Sequence, residues 1–383
     1  MEENIFDKKR ECKYAGKCGA CQTLNLTYGE ELSLKMKQEI TLLGKFGHVE
    51  EIIPMENPEK YRNKVQYLMQ YNGGRVNFGL YRSSDGGIVH VDRCMMEDEE
   101  ASAVCRTARR LVDKFGLKVY DGRRGLVRHV MARRAFATGE ILCAIVTTDE
   151  KFDHAHEFAE ELVRRIPSVK SVSRIVNDTK TPLWLGGEEY VLYGNGYITD
   201  ELCGCRFRIS AKSFYQINPI QTEVLYDTAV KMAKISKGER IADAYCGIGT
   251  VGIIAAKSKD GELFGFDVSA DAVRDAEVNA KLNGVEKARF ICTDDASYML
   301  KTENNPDVLF MDPPRAGADR GFLNSVMRCA PGRVVYISCN PETLARDLIQ
   351  FRKKYNIDRI QPVDMFPGTR HVESVVLMSR VGK

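Results

Sequence analysis

Cys339 closes the apolar run Val334–Ile337 and is followed by Asn340-Pro341, a helix N-cap type and a residue suited to the first helical turn. The thiol therefore stands where a strand ends and a helix begins, a position that favours the thiolate and nucleophilic attack. A cysteine on an apolar strand more commonly fills core, and Cys143 and Cys292 read that way. What favours chemistry at Cys339 is its company. Asp243, Asp267 and Asp312 fall at or near the ends of other apolar runs in the same half of the chain. Glu373, with His371 beside it in GTRHVESVV, opens the last such run, and either could act as a general base.

A second group of residues suits a nucleoside. The stretch ADAYCGIGTVG (242–252) joins a strand to a helix through a small glycine turn, which lets backbone approach a ligand at a helix N-terminus. Asp267 follows Gly249 by eighteen residues, the place where an acid binds ribose hydroxyls. Capping of the next helix is the plainer role for Asp267. No G-x-x-x-x-G-K-[ST] is present, which excludes a P-loop nucleotide site. In FMDPPRAG (310–317), two prolines stiffen the loop after Asp312 and can fix its carboxylate beside a substrate.

The third group is Cys12-x5-Cys18-x2-Cys21, with the later Cys94 in VDRCMMED. Four thiolates without histidine suit an iron–sulfur cluster or structural zinc. The spacing departs from paired C-x2-C zinc ribbons, so the cluster is the preferred reading. Four ligands also argue against a radical-generating cluster, which leaves one iron open.

Elements must position these residues. Helices are expected near 28–46, 98–115 and 151–166, a hairpin from 61–71 and 76–82 around Asn72-Gly73-Gly74, strands near 128–137 and 140–148, and further strand-like runs after 166 to about Ile209. From residue 211 the pattern becomes an alternation of helix with strands at 239–245, 262–268, 288–293, 307–313, 333–339 and 373–379. That alternation predicts an α/β fold whose C-terminal part is a Rossmann-like, doubly wound and mainly parallel sheet, with ligands at the strand C-termini. The N-terminal half is expected to be α+β. The domain reading is a cysteine segment within 1–95, a central domain over 50–209 and a C-terminal domain over 210–383, with the helix near 28–46 expected to pack on the last.

Composition narrows the class. Hydrophobic residues are 44% and charged residues 28% of 383, an ordinary globular balance, and no apolar run is long enough to span a membrane. The charged start lacks a signal-peptide core, so a cytoplasmic monomer is expected and the twelve cysteines are not read as disulfides. Between Arg106 and Glu140 there are ten Lys or Arg against three acids, a local excess that suits RNA although the net charge is only +3.

Taken together, CKYAGKCGAC with Cys94, YRNKVQY, KSFYQINP, DAYCGIGT, MDPPRAG, ISCNP and MFPGTRHVES resemble the RNA 5-methyluridine (uracil-C5) methyltransferases, over nearly the whole chain. The resemblance implies a Rossmann-like S-adenosyl-L-methionine-dependent methyltransferase domain behind an N-terminal RNA-binding domain. It implies Cys339 as nucleophile and Glu373 as base. It implies Gln216, Tyr245, Asp267 and Asp312 as contacts to S-adenosyl-L-methionine, and Asp294 facing the adenine. Cys12, Cys18, Cys21 and Cys94 would ligate a [4Fe–4S] cluster, and Arg62 and Lys64 would meet RNA. Many family members carry a small β-barrel before the cysteines, which is not expected here because Cys12 stands so early. That matches the short, cluster-bearing branch acting on 23S rRNA, with tRNA as the second candidate. An RNA cytosine-5 methyltransferase and an idle cluster-bearing RNA-binding module are the remaining alternatives. Arg315, where the cytosine enzymes commonly place a cysteine, speaks against the first. Gly368 stands where larger residues are common in the family.

Overall fold

The structure, a computed structural model, describes residues 5–72, 74–82, 84, 87–178, 184–293 and 306–382. Two seven-stranded sheets dominate it. After α1 (Tyr28–Leu43), the first sheet is built from β1 (Lys64–Asn72), β2 (Arg75–Tyr81), β3 (Ile88–His90), β4 (Val127–Arg134), β5 (Ile141–Thr147), β6 (Val169–Val176) and β7 (Glu188–Tyr193). Its order is β3-β2-β1-β4-β5-β6-β7. Helices α2 (Glu99–Lys114) and α3 (Ala155–Arg165) cover one face. The alternation along β4 shows both faces in use. Val130 and Ala132 join the core under these helices, whereas Met131 packs into the core of the C-terminal half.

A two-stranded ribbon, β8 (Tyr197–Leu202) with β9 (Cys205–Ser210), leads into α4 (Pro219–Ala233) and the second sheet. There β10 (Arg240–Ala244), α5 (Thr250–Lys259), β11 (Glu262–Asp267), α6 (Ala270–Leu282) and β12 (Ala288–Cys292) wind one way. Then β13 (Val308–Met311), α7 (Arg320–Cys329), β14 (Arg333–Ser338), α8 (Pro341–Phe351), β15 (Tyr355–Val363) and β16 (Glu373–Arg380) wind the other. The order β12-β11-β10-β13-β14-β16-β15 places the reversal between β10 and β13, where a crevice opens beyond the strand ends. Strands β10 to β14 pair in parallel, and β16 runs antiparallel to β14 and β15. Parallel strands covered on both faces must be apolar throughout, as Val308–Met311 and Val334–Ile337 are. The expected strands omit β3 and β15. The edge strand β15 carries Asp358, Arg359 and Pro362 and a bulge near 357–359, which break the apolar signature while discouraging edge pairing.

Two polar devices fasten the halves. Arg133 is fully buried and donates from Nη1 to the carbonyls of Ser210 (3.2 Å) and Ser213 (3.0 Å), holding the loop that leads to Gln216. Helix α1 begins with a capping box between Thr27 and Glu30 and packs against α8 and β15. Its buried stripe reads Tyr28, Glu31, Lys35, Glu39 and Leu43, so three charged residues occupy positions where an apolar seam is usual.

Candidate active site

The crevice is framed by the turn after β10. Tyr245 adopts φ +61°, rare outside glycine, and Gly247 (+55°) and Gly249 (+83°) follow it. A side chain at Gly249 would meet Ile253, Ala276 and Phe290, and one at Gly252 would strike the Asp243 carboxylate at 2.7 Å. Asp243 instead accepts a hydrogen bond from Gly252 N (2.9 Å) and so anchors the start of α5. Asp267 accepts from Gly247 N and Ser269 N, both at 2.9 Å, which ties the next strand end to the turn. Gln216 is buried, and Tyr226 of α4, which the motifs did not single out, lies with Gln216, Thr250, Asp243 and Asp312 around its phenol. A strained turn, two close-approach glycines and a carboxylate one strand over form a cradle suited to a nucleoside. Asp294 lies outside the described residues.

Reacting groups meet across β13, β14 and β16. Burial pushes the Cys339 thiol up to about 12, helped by the Glu373 and Asp312 carboxylates, and only Arg315 and local backbone oppose them. This corrects the expectation from the helix mouth alone: desolvation and two nearby anions outweigh the N-terminus of α8, so the resting group is a thiol. Glu373 is 3% exposed, and its Oε2 has no hydrogen-bond partner. Burial, then Asp312 and Glu39, hold its carboxyl well above the usual range. Burial raises Asp312 to about 7.

Arg315 completes this edge. Its Nη2 lies 2.8 Å from His371 Nδ1, and its carbonyl accepts from Asn340 Nδ2 (3.1 Å) and Thr343 Oγ1 (3.3 Å). Burial first, then Arg315, lowers His371 below its ordinary value, so the imidazole is neutral and free to accept from the guanidinium. Of the two base candidates, His371 thus holds Arg315, while Glu373 keeps an unengaged oxygen in the buried site. Glu39 of α1 was also not anticipated. It is fully buried and accepts from Ser374 Oγ at 2.6 Å, next to Glu373, and burial raises it to about 7. A charged residue on the apolar stripe of α1 was its only sequence signal.

Cys12, Cys18, Cys21 and Cys94 line one cavity of about 330 Å³, and none of the four is in a disulfide. Among the described residues, however, no three His, Cys, Asp or Glu side chains converge in metal-ligating geometry. The donor set is thus gathered in one place but not drawn together. Arg62 lies over the Tyr61 ring with Cys21 and Cys94 close to its charge, a site beside the cysteines rather than an outward-facing RNA contact. Gly368 explains itself here. Its φ is +85°, a side chain would meet Met96 at 3.0 Å and Cys21 Sγ at 3.6 Å, and its carbonyl accepts from Gln22 N and Thr23 N. The 106–140 basic stretch divides. Arg133 is internal, Arg134 pairs with Asp98 and Glu100, and Arg110, Lys118, Arg123 and Arg124 are exposed.

Residues 28–381 match the family model described as tRNA (Uracil-5-)-methyltransferase. The chain belongs to the RNA uracil-C5 methyltransferase family. An uncharacterized RNA methyltransferase of Clostridium acetobutylicum is 36% identical over 99% of this chain and 86% of its own length. Another, from Bacillus cereus, is 38% identical over 100% of this chain and 85% of its own. The crystal structure of the Pyrococcus abyssi tRNA (uracil-54, C5)-methyltransferase in complex with S-adenosyl-L-homocysteine superposes with a TM-score of 0.79. It is 28% identical and covers 94% of this chain and 86% of that one. Membership carries RNA uracil-5 methyltransferase activity, S-adenosyl-L-methionine as methyl donor and RNA as substrate. Among the described residues no helix is long and apolar enough to cross a membrane.

Proposed function

We propose that Cys339 and Glu373 carry out uracil-C5 methylation on an unpaired uridine by covalent catalysis. The observation that supports this most is the meeting of Cys339, Glu373 and Asp312 within one another's electrostatic reach at the cradle edge. When bound, S-adenosyl-L-methionine supplies an electrophilic methyl group, and Gln216, Tyr245, Asp267 and Asp312 are the residues that would hold it.

Uracil C5 is a weak nucleophile. The Cys339 thiol releases its proton to solvent, aided by the positive charge of Arg315, and the thiolate sulfur bonds to C6. The C5–C6 π electrons shift toward the C4 carbonyl oxygen, giving an enolate with a nucleophilic C5. Once C5 bears both methyl and hydrogen, Glu373 takes the hydrogen as a proton, the C5–C6 double bond re-forms and the sulfur leaves as thiolate. The uridine must stand outside a base stack for sulfur to reach C6. RNA containing 5-fluorouridine is the test, because Glu373 cannot remove fluorine as a cation. A covalent adduct is expected with the wild-type chain and not with Cys339→Ala, and adducts in both would move the nucleophile elsewhere.

Four cysteines around one cavity support a [4Fe–4S] cluster on Cys12, Cys18, Cys21 and Cys94. Anaerobically isolated protein should contain iron and sulfide, and stoichiometric zinc would overturn this. The same cysteine segment favours 23S rRNA as substrate, acted on by a monomer in the cytoplasm. The Pyrococcus abyssi neighbour favours a tRNA substrate as the second reading. Mapping 5-methyluridine in both RNAs from cells lacking the protein separates them.

A further inference from the structure

A cavity of about 620 Å³ lies on the first sheet, lined by none of the residues that line the cysteine cavity, and no step above uses it. Its size falls in the range of ligand clefts, about 300–1,000 Å³. Its walls are aromatic. His129 and Trp184 stack with ring centroids 4.0 Å apart and 16° between planes, and Tyr81 meets Trp184 edge-on at 6.1 Å. Tyr81, which shares the sheet face of His129, is 49% exposed. The Arg128 guanidinium lies 5.2 Å over the Tyr120 ring. Asp121, the acid of the lining, is turned to its own loop and accepts from Arg123 N and Arg124 N.

One polar atom is left without a partner. His129 is 5% exposed, lines the cavity, and its Nδ1 has no hydrogen bond. Burial and the neighbouring Arg128 drop its pKa to about 3, so the ring is neutral. A buried polar atom without a partner costs about 1–3 kcal/mol unless something completes it. Nucleobase edges carry both donors and acceptors, and base faces stack on aromatic rings whatever their sequence.

Register supplies the direction. His129, Met131 and Arg133 alternate along β4 on the face turned toward the C-terminal half, opposite Leu68, Gln66 and Lys64 of β1. The cavity thus occupies one end of a face whose other end is buried against the C-terminal half, where Arg133 is bonded to the loop before Gln216.

We propose that the Tyr81–Trp184–His129 groove holds an unpaired base of the substrate RNA, flanking the target uridine, by stacking and by a hydrogen bond to His129 Nδ1. This rests on the reading of the chain as an RNA methyltransferase and adds the place where RNA beyond the target is gripped. Trp184 is the only tryptophan of the chain, so its emission reports the site directly.

Single-stranded RNA oligonucleotides titrated into the full chain should quench Trp184 emission along the same curve that labelled-RNA anisotropy gives. Duplex RNA of the same sequence should quench far less. Trp184→Ala and Tyr81→Ala should each weaken binding about five- to 150-fold, the range for loss of one base stack. Both variants should keep wild-type S-adenosyl-L-methionine binding and circular dichroism, which shows that they fold. RNA binding with unchanged Trp184 emission and unchanged affinity in both variants would overturn the groove while leaving RNA methylation standing. No RNA binding by anisotropy at all would overturn both.

Discussion

Two clusters of buried charge lie along α1, one turn apart, and they are built on opposite principles. At Glu31 and Lys35 every charge is answered. Arg10 and Lys35 (2.6 Å) pair with Glu31, Lys35 also reaches Asp364 at 2.6 Å, and Tyr28 donates to Asp364 at 2.7 Å. At Glu39 the charges are left unanswered. Glu39, Glu373 and Asp312 are carboxyls pushed upward mainly by burial, and among the described residues no ion pair joins any of them to a cation. A compensated cluster is cement, since its members gain nothing by changing charge. An uncompensated one is a reservoir of basicity, because burial makes each carboxylate eager for a proton.

Breaking the second cluster should be felt in chemistry first. Glu373→Gln keeps size and loses the base, so turnover should fall about 10²- to 10⁴-fold while the Cys339 adduct with RNA still forms. Single-turnover kinetics with adduct quantification checks this; equal loss of adduct would mean that Glu373 acts before attack. Breaking the first cluster should be felt in stability. Lys35→Met leaves Glu31 and Asp364 facing each other with less positive charge, a loss of about 3–5 kcal/mol. Denaturant unfolding measures it, and an unchanged midpoint would show that the pairs are idle.

The smallest effect sharpens the contrast through pH. Glu39 has a folded value of about 7, raised from 4.5, so the folded state holds its proton more tightly than the unfolded chain. Its contribution to stability is therefore fully present below about pH 4.5 and is lost as pH rises through 7, on the order of 3 kcal/mol. Glu39→Gln should remove that loss and flatten the stability profile between pH 5 and pH 8. A profile identical to wild type would place the ionisation elsewhere.

Much of this was legible from residue order alone. The apolar runs ending in Asp243, Asp267, Asp312 and Cys339 specify a parallel sheet because strands buried on both faces tolerate little else. Chain order then brings their ends to one edge. Other features were hidden for physical reasons. Glu39 looks like a solvated helix residue until α1 is seen against β16. The acidity of Cys339 reads one way from its helix and the other from the carboxylates that folding delivers. Arg62, in a motif suggestive of RNA, is drawn inward by Tyr61 and the cysteines. His129 and Trp184 are 55 residues apart, so no local pattern could pair them.

The turn at Gly368 carries a consequence for how this sequence can drift. Its carbonyl is shared by the amides of Gln22 and Thr23, its own amide is taken by Glu31, and the Tyr61 hydroxyl seizes the carbonyl just before it. Three distant stretches of chain therefore converge on the two peptide units that flank Gly368, five residues ahead of Glu373. A substitution at Glu31 or Tyr61, far from Glu373 along the chain, would thus loosen the approach to the base as surely as one at Gly368 itself.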